Sequence, residues 1–329
     1  IVMASNSTEA DIRDQSKNVT ITIKDMNRPK THNSVSAFTA KCRLQQSRFR
    51  ESINEPMGVG PWKTSKNLQI SMIKDGEVTG KNFVDRYTFD YAKMRVRKKL
   101  KNETIDEYRL FNNLLSSQPM AFNLFCPLRH MLEERMNDAV TLIFSTIFPQ
   151  FDIAYVTEIE LEYLHEDIEN YLNDKTAMDA IVRFFDSQNN SCFIAIETKY
   201  TDVLGSNSAR NKESQKKLIR QLKYFKPEAE LALINDEKEI SQIYRNFLLS
   251  ECYRIKENAY ECYSLVLSPA NHPTTDAEVH SLQDELLPEY QYKIGSITLE
   301  QFVETAIEQC PKANVEPFLW FGKRYLENI

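Results

Sequence analysis

Three residues of this chain have the types and spacing to do chemistry together: Asp179, Glu197 and Lys199. They lie in the stretch 176–200, where 176–186 and 191–200 read as two apolar strands joined by the polar turn Ser187-Gln-Asn-Asn190. Runs of Ile, Val, Phe and Ala bounded by turn formers predict the strands. Regular antiparallel pairing places Asp179 opposite residue 198, between Glu197 and Lys199. Side chains alternate along a strand, so Glu197 and Lys199 share a face, and Asp179 joins them within one residue of register. Two carboxylates and an ammonium then converge. Mg²⁺ prefers oxygen ligands and keeps several waters, so such a pair plus substrate phosphate oxygens suffices to hold it. A bound divalent ion acidifies a water and neutralises charge on a phosphoryl group, and a nearby lysine can orient that water. The plainer alternative is a structural hairpin, with Glu197 and Lys199 as a surface ion pair that adds little stability.

Other residues are candidates by position. Glu162 ends the preceding strand and could add a third carboxylate; Glu158 and Glu160 compete for that role, and a solvated acidic strand face explains all three. Gln242 and Arg245, three apart, share a helix face and could orient Lys199 or contact phosphate. His165 is the histidine nearest the motif and reads as incidental, since the five histidines form no H-x-x-x-H pair.

Asp179 with Glu197-Thr-Lys199 resembles the D…(D/E)-x-K signature of the PD-(D/E)XK nuclease-like (restriction endonuclease-like) superfamily. Met178 departs from the pattern, which has proline there. The segments Leu114–Leu128 and Gln242–Leu249 are similar to those flanking the core in a bacterial branch of that superfamily, and the resemblance runs from about residue 35 to about residue 307. It implies an α/β fold: a restriction-endonuclease-like core with a central mixed β-sheet flanked by helices. It also implies a Mg²⁺-dependent phosphodiesterase, with Mn²⁺ able to substitute. Asp179 and Glu197 would be metal ligands, the backbone carbonyl of Thr198 a further one, and Lys199 would align the attacking water. Glu134 is a candidate for the helix-borne acid often found in such enzymes, although a solvated helix position accounts for it as well.

Composition is that of an ordinary soluble globular chain: 329 residues, 42% hydrophobic and 27% charged. No apolar run approaches the roughly 18 residues that span a bilayer, and no signal-peptide pattern opens the chain. Six scattered cysteines without a C-x-x-C pair argue against zinc or a disulfide framework and for the reducing cytoplasm. Seven glycines, with no phosphate-cradling loop motif, argue against nucleotide binding. A net charge of −6 hides two basic runs, Lys93–Lys101 and Arg210–Lys226. Phosphate contacts need local positive surface rather than a basic total. In the second run Lys216, Lys217 and Arg220 are the candidates for nucleic-acid binding, joined by Arg245; solvated helix faces are the alternative.

The elements that must position these residues divide the chain into a loosely attached segment (1–33, with a β-prone piece at Val19–Ile23), a mainly helical region (34–150) and the α/β core with C-terminal helices (151–329). Ser34 caps a helix to about Ile53, and 54–80 is a loop region or small hairpin. Residues 84–101 are helical. Thr104-Ile-Asp-Glu107 is a capping box opening a helix to about Ser117; Pro119 interrupts, and Pro127 precedes a long helix over 128–147. Strands follow at 155–163, 176–186 and 191–200, helices at 212–225 and 237–255, a strand at 260–269 and a Thr298-capped helix over 298–309. Trp62 and Trp320 lie far from the motif and read as packing residues. The function expected is a metal-dependent nuclease acting on DNA. The alternative is a non-catalytic nucleic-acid-binding or interaction protein that keeps the scaffold.

Overall fold

The computed structural model describes residues 33–99, 105–202 and 211–327. The first 32 residues, including the β-prone piece, lie outside the described residues. The described part starts with α1 (Asn33–Ser52), the antiparallel hairpin β1 (Met57–Val59) and β2 (Leu68–Ile73), and the single turn α2 (Gly76–Thr79). Then come α3 (Arg86–Arg97), α4 (Glu107–Asn112), α5 (Ser117–Glu133) and α6 (Asn137–Ile147).

Capping chemistry sets these boundaries, and it differs from the expectation in two places. The helix at the capping box starts at Glu107, where the Asp106 side chain accepts the Arg109 amide, and it stops at Asn112. A fresh start follows at Ser116, whose hydroxyl accepts the Gln118 amide. Pro119 therefore opens α5 rather than interrupting a helix, because a first-turn amide has no intrahelical acceptor to lose. Pro127 lies inside α5. The expected helix over 128–147 is instead broken at Arg135, in the left-handed region at φ 64, and the Met136 amide reaches back to the Met131 carbonyl at 2.8 Å. Such a close satisfies orphan carbonyls at a helix end.

The remainder builds one five-stranded sheet. Strands β3 (Tyr155–Tyr163), β4 (Met178–Phe185) and β5 (Ser191–Thr198) form an antiparallel meander. Helices α7 (Glu213–Leu222), α8 (Pro227–Ile234) and α9 (Gln242–Lys256) carry the chain over to β6 (Glu261–Ser268), parallel to β5. Helix α10 (Thr275–Gln283) then leads to β7 (Ile294–Thr298), parallel to β6, before α11 (Leu299–Gln309) and α12 (Glu316–Tyr325). The order β3-β4-β5-β6-β7 makes the sheet mixed, as expected for an α/β core. The Thr298 cap is as read from the sequence, its hydroxyl accepting the Gln301 amide. The sequence reading lacked α8, α10, β7 and α12.

Both sheet faces are covered. Ile159, Val182, Ile194 and Leu267 pack with α5, α6, α11 and α12; Ile181, Phe193, Ala195 and Val266 pack with α7 and α9. Strands buried on both faces read as continuous apolar runs, which is why β4 and β5 show little alternation. The hairpin register is one residue from the expected one. Asp186 pairs with Asn190 through its backbone amide and also accepts the Gln188 and Asn190 amides on its carboxylate. That turn pairs Phe185 with Ser191 and Ala180 with Ile196. Trp320 is half-buried against Phe49 and Arg324, whereas Trp62 is 55% exposed, contrary to its packing assignment. Among the described residues no helix is long and apolar enough to cross a membrane. All six cysteines are free and buried.

Candidate active site

Strand register lines up three acids. Leu161 pairs with Ala180 and Tyr163 with Met178, which brackets Glu162 opposite Asp179. Extending the Ala180–Ile196 pairing by one residue puts Asp179 opposite Glu197. Directly opposed residues on neighbouring strands present side chains to the same face, with Cβ atoms about 5 Å apart. The three β3 acids have different surroundings. Glu158 and Glu160 each lie 3.7 Å from Arg183, which also binds Glu257 at 2.7 Å. Glu162 instead is buried and lines the cleft beside Asp179. It sits at φ 52, a strained region for a residue with a side chain. Arg95 donates to the carbonyls of Leu161 and Glu162 at 3.1 and 2.9 Å and holds that turn. Glu134 is not in this group. It follows α5, packed on the opposite face of the sheet, and lies 3.8 Å from His130.

The side chains interlock. Asp179 Oδ2 accepts the amide and the hydroxyl of Thr198, at 2.6 and 2.7 Å. Glu197 Oε1 meets Lys199 Nζ at 2.7 Å and accepts Gln242 Nε2 at 2.8 Å. Glu197 Oε2 accepts Asn246 Nδ2 at 2.9 Å. Lys199 Nζ also donates to Gln242 Oε1 at 3.4 Å. The Glu197–Lys199 pair is therefore buried, with side chains 10% and 6% exposed, and is not the surface pair considered above. Burial raises the Asp179 carboxyl well above the ordinary aspartate range, and the charges of Glu197 and Glu162 push it further. For Lys199 burial acts downward, but the pull of Glu197 and Asp179 prevails and the ammonium is held more tightly than usual.

An open cleft of about 790 Å³ exposes this row to solvent. Its cationic lining is Arg109, Lys175, Lys199, Lys212 and Arg245. Arg245 donates to Thr176 Oγ1 at 3.1 Å and stands 3.9 Å from the buried Asp174. Of the residues expected to bind nucleic acid, only Arg245 lines the cleft. Lys216 is tied to Asp236 at 2.7 Å and Arg220 to Glu213 at 3.1 Å, and Lys217 is exposed on α7. The amphipathic pitch of α7 turns Leu218, Ile219 and Leu222 into the core and these three residues away from it. His165 packs on Tyr171, and its amide donates to the Tyr253 hydroxyl. Sequence reading missed Asn246, Arg109 and Lys175. Asn246 had a signal, lying one helical turn beyond Gln242 on the same face.

A second acidic group lies elsewhere. Donor atoms of Glu251, Glu261 and Cys262 come within 4.8 Å of one another. Lys293 Nζ already neutralises that group, bonding Glu251 at 2.8 Å and Glu261 more closely still, while Arg254 reaches Glu251 at 2.6 Å. The cleft row has three carboxylates and one ammonium, and Asp179 Oδ1 accepts no hydrogen bond among the described residues. An all-oxygen donor set fits a hard divalent cation.

The sequence pattern of the PD-(D/E)XK nuclease superfamily matches residues 33–327. The chain belongs to the PD-(D/E)XK nuclease superfamily. The match covers both the helices before β3 and the sheet, and the mixed sheet flanked by helices is consistent with that fold. Nucleases of this superfamily use divalent metals. No curated protein and no solved structure matches the chain.

Proposed function

We propose that the protein is a metal-dependent nuclease that hydrolyses phosphodiester bonds in DNA. Asp179, Glu197 and Glu162 would hold Mg²⁺, or Mn²⁺ in its place, with the Thr198 carbonyl as a further ligand. The ion supplies an acidified water and neutralises charge building on the phosphoryl group. Lys199, kept as an ammonium between Glu197 and Gln242, orients the attacking water and stabilises the developing negative charge. Gln242 and Asn246 hold Glu197 in place, while Arg245, Lys175 and Lys212 meet the flanking phosphates. Six buried free thiols suit a reducing compartment, and the cytoplasm is the location we propose.

The observation that carries this reading is the row itself: Glu162, Asp179 and Glu197 lie opposite one another on β3, β4 and β5 and line the cleft with Lys199. Burial and the neighbouring charges of Glu197 and Glu162 disfavour the ionised Asp179 carboxylate, and a divalent cation would offset that cost. The test is cleavage of linear, circular and single-stranded DNA, and of RNA, by purified protein in Mg²⁺, Mn²⁺ or EDTA. Asp179→Asn and Glu197→Gln should each abolish a metal-dependent activity, and Lys199→Ala should lower it by about 10²–10³. One observation favours a non-catalytic nucleic-acid-binding scaffold instead: both Glu197 oxygens are already engaged by Lys199, Gln242 and Asn246. On that reading the wild type binds DNA and cuts nothing with any metal.

A further inference from the structure

We infer that the tip of the β1–β2 hairpin is a stacking platform for an unpaired base, so that the substrate carries a single-stranded segment beside the cut. This rests on the nuclease reading above. Trp62, at the tip, is 55% exposed. The turn beneath it is firmly built. The Trp62 amide donates to Ser65 Oγ at 3.1 Å, and the Ser65 amide returns to the Trp62 carbonyl at 2.9 Å. Below them the Gly60 amide reaches the Asn67 carbonyl at 3.1 Å, and Gln69 Nε2 reaches the Gly60 carbonyl at 3.0 Å. A large apolar ring held out to water on a braced turn has no packing role in the fold.

Its surroundings indicate the kind of ligand. Lys63 and Lys66 are exposed on the same turn, and neither has an ion-pair partner among the described residues. The residues between them are Thr64 and Ser65, so the indole has ammonium and hydroxyl groups beside it, while Met57 and Leu68 of the same hairpin are exposed as well, at 37% and 57%. An aromatic ring flanked by cations is how single strands are held: the ring stacks on a base and the cations meet the backbone. Bases inside a duplex are already stacked on both sides. Only an unpaired base can lie on the indole.

The hairpin is connected to the cleft. Helix α4 stands between them: the Tyr108 hydroxyl donates to the Val59 carbonyl at 2.7 Å, and the next residue, Arg109, lines the cleft. Asp106 lines both the cleft and a neighbouring hollow of about 570 Å³, whose walls include Lys63, Lys99 and Tyr108. A strand leaving the cleft past Asp106 crosses this hollow to Lys63 and then to Trp62. Of the three acids that line this hollow, Asp106 is directed onto the Arg109 amide and Glu77 accepts from Asn112 Nδ2 at 3.0 Å, while Glu107 is exposed.

The test is fluorescence anisotropy of a labelled single-stranded oligonucleotide and its duplex, with Ca²⁺ replacing Mg²⁺ so that nothing is cut. Trp62→Ala should weaken single-strand binding roughly ten- to a hundredfold, the range for losing one stacked base. Trp62→Phe should recover most of it, and duplex affinity should change little. Trp62 is exposed, so melting temperatures of all three proteins should coincide. If Trp62→Ala binds the single strand as tightly as the wild type, the platform does not exist and the indole belongs to a protein contact, whatever the protein cleaves. If single-strand binding depends on Trp62 but no DNA or RNA is cut with Mg²⁺ or Mn²⁺, the nuclease reading falls and the platform stands.

Discussion

Asp179 hangs from Thr198. The amide and the hydroxyl of one residue on β5 donate to a single carboxylate oxygen on β4, at 2.6 and 2.7 Å. Two donors on Oδ2 lock the carboxylate's orientation and leave Oδ1 to face whatever enters from the cleft. The pairing depends on register: shifting β4 against β5 by one residue would send Asp179 to the other face of the sheet.

Thr198→Val keeps the β-branched shape and the amide bond and removes only the hydroxyl. Hydrogen bonds to charged groups contribute about 1.5–3 kcal/mol, so urea unfolding should show a loss near the lower end of that range. The larger change should be a several-fold loss of Mn²⁺ affinity, read by calorimetry, with Thr198→Ser restoring it. Equal affinity in wild type and Thr198→Val would mean that the hydroxyl does not position Asp179 for a cation.

Asp179 also predicts a pH effect. Its carboxyl titrates higher in the folded protein than the ordinary 3.8. The native state therefore binds this proton more tightly than the unfolded chain, and stability is lost as pH rises from the ordinary value toward the raised one. Asp179→Asn cannot ionise and escapes that loss. In EDTA at pH 8 it should melt above the wild type, and the gap should shrink as pH falls into the ordinary aspartate range. Saturating Mn²⁺ should narrow the gap at pH 8. A variant that melts below the wild type at pH 8 in EDTA contradicts the assignment.

The parts of this fold legible in the sequence are those whose cause is local. Apolar runs bounded by Asp186 and Asn190 are enough to predict β4 and β5, and the spacing of Glu197 and Lys199 follows from alternation. The exact register was not legible, because it depends on Asp186 capturing the Asn190 amide, a contact of one side chain. Glu162 could not be separated from Glu158 and Glu160 by pattern. All three alternate onto one face of β3 beyond the register shift at Val156/Glu158, and it is Arg183 on the neighbouring strand that draws two of them away. The basic run on α7 shows the converse error. Charge clustered in sequence is split in space. Among the described residues of that run Lys212, before α7, lines the cleft, while Lys216 and Arg220 are in ion pairs and Lys217 is exposed. The other cleft cations are Arg109, Lys175, Lys199 and Arg245.

Lys293 tests whether the second acidic group is structural. Its ammonium, 3% exposed, lies between Glu251 and Glu261. Lys293→Met leaves the buried Glu251 beside the half-buried Glu261 with Arg254 as the remaining cation. The loss should therefore fall below about 3–5 kcal/mol, the cost of breaking a fully buried pair. Lys293→Met combined with Glu251→Gln should recover part of the loss. EDTA should leave the wild-type melting temperature unchanged; a drop on chelation would show that the group holds a metal after all.

Lys199 and Asn246 both touch Glu197, yet their removal should read differently. Lys199→Ala deletes the charge that meets the developing phosphorane, so kcat should fall by about 10²–10³, the cost of losing one preorganised electrostatic donor. Mn²⁺ affinity should hold or rise, because a nearby positive charge has gone. The variant should also be less stable, since Glu197 loses the cation 2.7 Å from its Oε1 in a buried site. Asn246→Ala leaves Lys199 and Gln242 on Oε1 and frees only Oε2, which lets the carboxylate rotate. Its effect should fall on Mn²⁺ affinity, with excess metal restoring much of kcat. The decisive comparison is both variants at saturating Mn²⁺ on a DNA the wild type cleaves. If excess metal rescues Lys199→Ala as fully as Asn246→Ala, the lysine does no more than hold Glu197, and the attacking water is oriented by another group.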